Sequence, residues 1–295
     1  MKGDAVTAVQ TPPAADAARW RLRERSLDLS APRIMAICNV TPDSFSDGGE
    51  HDSVDGAVRF VEAAIGDGAS IVDLGGESTR PGATPVAAEL ELARVMPVLE
   101  AVHARWPDLL ISIDTVKAEV ARAALAAGAH AINDVSGGRL DLAIFDVVAR
   151  AGAGIVLLHS RGGVSDMASF THASYGSDVT AEVCAELNTQ ARLALRAGVA
   201  HECIVLDPGI GFSKTSAHTL TVLRELHRVT GLGFPVMVGA SRKRFIGELT
   251  GVTEPSRRVI GSAMAHVIAA QRGARLIRTH DVAATREALA VSAAI

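Results

Sequence analysis

Short apolar runs alternate with longer stretches of helical periodicity from residue 33 to the end of the chain. The apolar runs are rich in Val, Ile and Leu and predict eight buried strands, at 34–38, 71–74, 110–113, 131–132, 154–158, 204–206, 236–238 and 275–277. The stretches between them carry apolar residues three or four positions apart and predict helices at 54–65, 87–104, 116–127, 144–151, 179–197, 217–229, 257–271 and 283–293.

Eight strand–helix units of this length favour an α/β fold, a (β/α)₈ TIM barrel. A doubly wound parallel sheet is the alternative, because periodicity does not show whether a sheet closes. Residues 20–29 alternate apolar and polar positions around Glu24-Arg25 and predict a short N-terminal hairpin. Residues 1–18 predict a flexible tail and residues 19–295 a single barrel domain.

Composition narrows the class of protein. Of the 295 residues, 48% are hydrophobic but only 3% aromatic, so the core must consist of Val, Ile, Leu and Ala. The net charge of −4 argues against a general nucleic-acid surface, and we expect no membrane span because no apolar run reaches about 18 residues. Three cysteines without metal-ligand spacing (Cys38, Cys184 and Cys203) indicate a reduced, cytoplasmic protein.

Polar residues follow the predicted strands, and on a barrel these strand ends share one mouth. Strands three, four and six end at Asp114, Asn133 and Asp207, whereas Lys243 and Arg278 follow strands seven and eight. Carboxylates and amides suit a flat heterocycle with N–H donors, and cations suit phosphates. The sorting by charge indicates a ligand with a ring at one end and phosphates at the other.

Several residues at the strand ends have a structural interpretation instead. We predict that Asp73 holds the turn at Gly75-Gly76. Asp134 and Asp281 can cap loops, and Glu77 can pair with a neighbouring cation. The chain has no Gly-x-Ser-x-Gly elbow, no Walker-type loop and no complete dinucleotide fingerprint, which argues against those enzyme classes.

Seven ordered motifs resemble those of the dihydropteroate synthases, the folate-pathway enzymes that sulfonamides target. The resemblance covers residues 20–295. The matching stretches are Asn39-Val-Thr-Pro-Asp-Ser-Phe-Ser-Asp-Gly-Gly, Gly75-Gly-Glu-Ser-Thr-Arg-Pro-Gly, Ser112-Ile-Asp-Thr, Ile132-Asn-Asp-Val-Ser-Gly-Gly, Asp207-Pro-Gly-Ile-Gly-Phe-Ser-Lys, Ser241-Arg-Lys and Arg278-Thr-His-Asp-Val.

The resemblance implies a transferase that condenses 7,8-dihydropterin-6-ylmethyl diphosphate with p-aminobenzoate, giving 7,8-dihydropteroate and pyrophosphate. It implies these pterin-binding residues: Asp114, Asn133, Leu158, Asp207 and Lys243. It implies that pyrophosphate is held by Asn39, Thr79, Arg80, Arg278 and His280, with Mg²⁺ near Asn39 as the cofactor. The p-aminobenzoate pocket would contain Phe45, Thr79, Pro81, Phe212, Ser241 and Lys243.

Within these sets, the resemblance implies that the residues most directly involved in catalysis are Lys243, Arg80, Asp114 and Asp207. It also implies a homodimer through the later helices and a mechanism in which the C–O bond breaks before the amine attacks. The two substrates are small molecules, and we expect no nucleic-acid or membrane partner. We place Lys214 beyond the ring pocket.

One stretch departs from the family pattern. Where many relatives carry Met-His-Met followed by Gln or Arg and Gly, this chain has Leu158-His159-Ser160-Arg161-Gly162. Leu158 replaces Met at nearly constant volume, and we expect Ser160 to leave that side of the rim more open. Two other functions remain as alternatives: a pterin-dependent methyltransferase, and a pterin-binding paralogue without turnover.

Overall fold

The structure of the chain is a computed structural model that describes residues 18–40, 49–78 and 82–295. Its strands are β1 (Arg19–Leu22), β2 (Arg25–Asp28), β3 (Arg33–Asn39), β4 (Ile71–Gly75), β5 (Leu110–Asp114), β6 (Ala131–Asp134), β7 (Gly154–Leu158), β8 (Ile204–Asp207), β9 (Met237–Val238) and β10 (Leu276–Thr279). Its helices are α1 (Gly49–Gly66), α2 (Ala88–Arg105), α3 (Ala118–Ala126), α4 (Ala143–Ala151), α5 (Val179–Arg196), α6 (Ser216–Arg224), α7 (Leu226–Thr230), α8 (Arg244–Thr250), α9 (Val259–Gln271) and α10 (Val282–Ala294).

Eight parallel strands form the barrel, in the spatial order β8-β7-β6-β5-β4-β3-β10-β9. A parallel bridge between Leu206 and Val236, with a 2.9 Å hydrogen bond from the Leu206 amide to the Pro235 carbonyl, joins the two ends of this sheet. The predicted TIM barrel is therefore confirmed, and the doubly wound alternative is wrong. Among the described helices, none combines the length and the apolar run that a bilayer span requires.

Two helices differ from the sequence prediction. The stretch 217–229, predicted as one helix, is divided into α6 and α7 at Glu225, whose backbone leaves the helical region. Helix α8 lies between the predicted strand 236–238 and the predicted helix 257–271, where the sequence predicted no helix. It has only seven residues, which is too short to show a helical repeat. Gly251, in the left-handed conformation, caps its C-terminus.

Side chains alternate between the inside and the outside of the barrel along each strand, as strand geometry requires. The outward positions, such as Ile111 and Ile113, belong to the large cluster that packs against the helices. One inward-facing residue of each strand joins a separate apolar layer at the bottom of the barrel: Met35, Ile71, Leu110, Ala131, Val156, Val205, Met237 and Leu276.

The predicted hairpin is confirmed as β1 and β2, and it closes this bottom end. Trp20 and Leu22 are fully buried and pack onto the apolar layer. The Trp20 indole donates a 2.8 Å hydrogen bond to the Cys203 carbonyl. A Cβ at Gly154 would lie 2.5 Å from Leu22 and 2.9 Å from Trp20, so the missing side chain makes room for the hairpin.

We predict that Trp20→Ala destabilises the protein by about 3–5 kcal/mol, because it leaves a cavity beneath the barrel and an unpaired carbonyl. The free energy of unfolding in urea measures this. Arg19→Ala, on the exposed face of the same strand, is the control and should change it by less than about 0.5 kcal/mol. Equal stability of the two variants would contradict a structural role for the hairpin.

Candidate active site

Polar side chains replace apolar ones on the inner surface of the barrel towards the carboxyl ends of the strands. Along β4, the inward positions are Ile71, Asp73 and Gly75, and along β5 they are Leu110, Ser112 and Asp114. The same alternation places Asn39, Asn133, Leu158, Asp207 and Arg278 on the inner surface. The structure thus brings together, at one mouth, residues that the sequence placed on seven different strands.

An ion network links three strands at this mouth. The Arg278 guanidinium donates from Nε to Asp73 Oδ2 at 2.7 Å and from Nη2 to Asp114 Oδ2 at 2.8 Å. Burial opposes the charge on Arg278, but the two carboxylates outweigh it and raise the arginine pKa. Burial raises the pKa of Asp114, and Arg278 counteracts that rise.

The prediction for Asp73 was wrong. Its fully buried carboxylate lies inside the barrel and accepts hydrogen bonds from Arg278 and, at 2.9 Å, from Asn133 Nδ2, so it does not hold the Gly75 turn. A charged residue inside an apolar run, sharing the inward face with Ile71 and Gly75, was the signal in the sequence.

Asn133 presents an unused acceptor. Its side chain is fully buried and its amide nitrogen is bound to Asp73. Within the part of the chain that the structure describes, its Oδ1 atom has no hydrogen-bond partner. An unpaired buried carbonyl oxygen is costly, so this atom is suited to accept an N–H from a bound ring.

Asp207 is buried, and Lys243, which carries the opposite charge, is partly buried beside it. Asp207 Oδ1 accepts a 2.7 Å hydrogen bond from the Gly209 amide. Burial raises the pKa of Asp207 to about 6, while that hydrogen bond and the charge of Lys243 oppose the rise. Burial lowers the pKa of Lys243 to about 8, and Asp207 opposes that fall. The ammonium lies 4.0 Å from the centre of the Phe212 ring.

The backbone before Lys243 is held in an unusual conformation. Arg242 has a φ of 58°, in the left-handed region that favours glycine. Its amide donates to Ser262 Oγ at 2.9 Å, and its guanidinium is bound to both carboxylate oxygens of Asp281. These contacts retain the strained turn that places Lys243 over Phe212.

Ser241 and His280 are in direct contact. Ser241 Oγ lies 3.0 Å from His280 Nδ1 and accepts a 3.2 Å hydrogen bond from the His280 amide. Burial and the nearby cations lower the pKa of His280 to about 3. The imidazole is therefore neutral, and in the tautomer in which Nδ1 accepts from the serine hydroxyl its Nε2–H is left as a donor.

The segment that departs from the family pattern is packed rather than open. Leu158 and Phe212 belong to a small apolar cluster near the mouth, together with Val164 and Met167. Ser160 is fully buried and donates a 2.7 Å hydrogen bond to the Val135 carbonyl. The expectation that Ser160 opens the rim was wrong, because its side chain is bonded within the adjoining loop.

Three carboxylates have structural roles, as the sequence allowed. Asp134 accepts hydrogen bonds from the Ser136 and Gly138 amides and caps its loop. Asp281 makes no cap hydrogen bond within the described part of the chain, contrary to the capping role predicted for it, and pairs with Arg242 instead. Glu77 pairs with Lys117 at 3.0 Å. These groups shape the loops around the mouth rather than facing a ligand.

Asn39 lies at the end of β3, opposite Gly75 in the sheet register. A Cβ built on Gly75 would lie 3.9 Å from Asn39 Oδ1 and 3.8 Å from Asp114 Oδ2, so both oxygens border the space that glycine leaves empty. The described residues contain no group of three or more His, Cys, Asp or Glu that could hold a metal by themselves. A single amide oxygen still fits Mg²⁺, which commonly binds through substrate phosphates and one or two protein ligands.

Four candidate site residues, Phe45, Thr79, Arg80 and Pro81, lie outside the described residues. The others lie at the barrel mouth or in the loops that border it. The sequence missed the role of Asp73, and it predicted Lys214 beyond the ring pocket without indicating its contacts. That side chain is 1% exposed and lies beneath the loop between β8 and α6.

Comparisons with known proteins agree with this geometry. The profile of the pterin-binding enzyme family matches residues 35–280. The dihydropteroate synthase of Escherichia coli is 45% identical over 266 residues, which cover 90% of this chain and 92% of the relative. The enzyme of Synechocystis is 44% identical over 262 residues, covering 89% of each chain.

Solved structures extend the likeness to the fold. The dihydropteroate synthase of Xanthomonas albilineans with 4-aminobenzoic acid has a TM-score of 0.87 and 47% identity, covering 94% of this chain and 98% of its own. The Thermus thermophilus enzyme in complex with 6HMPPP has a TM-score of 0.81 and 45% identity, covering 94% and 99%. This chain belongs to the pterin-binding enzyme family and, within it, to the dihydropteroate synthases.

Proposed function

We propose that this chain condenses 7,8-dihydropterin-6-ylmethyl diphosphate with p-aminobenzoate to form 7,8-dihydropteroate and pyrophosphate. The observation that carries the proposal is a set of acceptors, the buried Asn133 and Asp207 and the partly buried Asp114, facing the cations Lys243 and Arg278 across one barrel mouth. These acceptors match the N–H donors of a pterin, and the cations match a diphosphate.

The pterin ring binds among these acceptors, before the chemical step. Asp114 and Asp207 accept N–H groups of the ring, and Asn133 Oδ1, which has no partner among the described residues, accepts another. The apolar side chain of Leu158 supplies a contact for the ring face. Lys243 neutralises Asp207 and lies between the two substrates.

The diphosphate leaves from the methylene carbon as the C–O bond breaks. Arg278 and the neutral Nε2–H of His280 bind the leaving oxygens, and Thr79 and Arg80 complete that set in our proposal. Mg²⁺ near Asn39 would add charge stabilisation to the pyrophosphate. Hydrogen-bond donors positioned where negative charge accumulates on the leaving group lower the activation free energy of C–O cleavage.

The amine of p-aminobenzoate then attacks the methylene carbon. A C–N bond forms, and the arylammonium releases one proton without a dedicated base. Phe212, Ser241 and Lys243 border the second substrate, and Phe45, Thr79 and Pro81 complete the pocket in our proposal. The 4.0 Å contact between Lys243 and the Phe212 ring supports a pocket that takes both a ring and a carboxylate.

We predict that purified protein with Mg²⁺ forms dihydropteroate, together with pyrophosphate, when both substrates are present. Lys243→Ala should lower kcat/KM about 100-fold or more, because the cation that adjoins both substrates is lost. Arg244→Ala is the control, since that neighbouring cation is half-exposed and packs on Phe170. Product analysis by chromatography together with pyrophosphate release measures both.

The same assay examines the metal. Removal of Mg²⁺ with a chelator should suppress turnover, and added Mg²⁺ should restore it. Pyrophosphate release that does not depend on p-aminobenzoate, with no dihydropteroate formed, would contradict the proposed reaction.

We predict that dihydropterin binding is tightest between about pH 6 and 8, because the pKa of Asp207 is raised to about 6 and that of Lys243 is lowered to about 8. Below this window Asp207 gains a proton and loses acceptor capacity, and above it Lys243 loses its charge. Calorimetric titration across pH 5–9 measures the affinity.

Asp207→Asn is the control for the loss of affinity at acidic pH. It should bind more weakly at neutral pH, and its affinity should fall less steeply below pH 6. An acid limb as steep as that of the unaltered protein would show that another group, such as Asp114, controls it.

We propose further that two copies associate through the later helices. Ile260 and Met264, one turn apart on α9, are 86% and 58% exposed, and Leu249 at the end of α8 is 64% exposed. Large apolar side chains grouped on one surface favour an interface over solvent.

The expected result is that Ile260→Lys converts a dimer to a monomer in sedimentation equilibrium, because it places a charge in an apolar contact. Leu142→Lys, at an apolar residue before α4 that is 60% exposed, is the control and should leave the mass unchanged. A monomeric unaltered protein would contradict the proposal.

A further inference from the structure

Lys214 is a buried lysine that the reaction described above does not use. Its side chain is 1% exposed. Nζ lies 2.8 Å from His159 Nδ1 and 3.2 Å from each of the carbonyl oxygens of Gly209 and Phe212. Three acceptors surround a group that carries three N–H donors when it is protonated.

The contacts of His159 define its tautomer. Its ring is fully buried, and burial lowers the pKa of His159 to about 4, so the imidazole is neutral. Nδ1 accepts from Lys214 Nζ, which carries an N–H in either protonation state, and Nε2–H donates to Glu186 Oε2 at 3.1 Å. Glu186 is in turn paired with Arg161. The lysine thus ends a chain of alternating donors and acceptors that extends into the loop after β7.

The loop that Lys214 supports is tightly wound. Gly209, Gly211 and Ser213 have φ values of 67°, 77° and 46°, three left-handed residues in five. Ser213 Oγ accepts from the Arg161 amide at 2.9 Å and lies 2.9 Å from the Met167 carbonyl. These contacts fasten the loop to the segment after β7.

The carbonyl groups of Gly209 and Phe212 differ in how much their hydrogen bonding depends on Lys214. The Gly209 carbonyl also accepts a 3.0 Å hydrogen bond from the Phe212 amide. For the Phe212 carbonyl, Lys214 is the donor that the described contacts supply. Loss of the lysine would therefore act mainly on the backbone of Phe212, whose ring lies against Lys243, and less on the Asp207 end of the loop.

We propose that Lys214, supported by His159, is a positioning residue for the p-aminobenzoate pocket, because it holds the backbone of Phe212 in place. The proposal rests on the proposed function, which assigns Phe212 to the second substrate. Lys214 touches neither substrate in this account and acts through the loop.

The test compares how a variant changes the Michaelis constants for the two substrates. In Lys214→Met, we expect KM for p-aminobenzoate to rise about tenfold, the size expected when a buried carbonyl loses its donor, while KM for the pterin diphosphate changes less than about twofold. Arg224→Met removes an exposed cation from the following helix and should match the unaltered protein. In a cycle with Phe212→Leu, the two effects on KM should not add.

Variants of His159 provide a second measurement where Lys214→Met does not fold. His159→Leu removes the acceptor and should raise KM for p-aminobenzoate about threefold, whereas His159→Asn retains an oxygen near the position of Nδ1 and should restore most of it. A fall in kcat with both Michaelis constants unchanged would indicate loss of active protein and overturn the proposal. If the unaltered protein forms no dihydropteroate, the proposed function fails, and the variants are not the cause.

Discussion

Arg278 lies inside the barrel between two carboxylates, and the charges at the mouth depend on that contact. Asp73 is fully buried, and removal of its cation would leave a charge that costs about 3–5 kcal/mol. The same guanidinium joins β10 to β4 and β5. On the proposed function, a ring N–H bound to Asp114 and an anion bound to Arg278 would each replace part of this ion pair. The two ends of one substrate would then share one internal network.

The loops around the mouth follow the same requirement that buried polar groups be paired. Ser213 and Arg242 have left-handed backbones that cost free energy, and each is retained by hydrogen bonds to a neighbouring loop or helix. Lys214 supports the loop that contains Ser213 through its contacts with the Gly209 and Phe212 carbonyls. The shape of the second-substrate pocket thus depends on side chains that do not line it but hold the lining residues in place.

The sequence predicted the barrel and most of the mouth because both have local signals. Apolar runs mark the strands, and polar residues such as Asp114 and Asp207 directly follow them. Asp73 was misread because its partner Arg278 is 205 positions away, a contact that no local pattern contains. Ser160 was misread for the related reason that its acceptor belongs to another loop. Phe45, Thr79, Arg80 and Pro81 lie outside the described residues and remain predictions.

The inner surface of one strand shows how stability and binding are separated in this fold. Along β4, Ile71 packs against the hairpin, Asp73 holds Arg278, and Gly75 leaves space between Asn39 and Asp114. Apolar burial at the bottom stabilises the barrel, whereas each buried charge at the mouth opposes folding unless it is paired. Because these positions are two residues apart, a register shift of one residue would exchange the whole inner set for the outer one. The apolar layer beneath the mouth therefore fixes the register that brings the binding residues together.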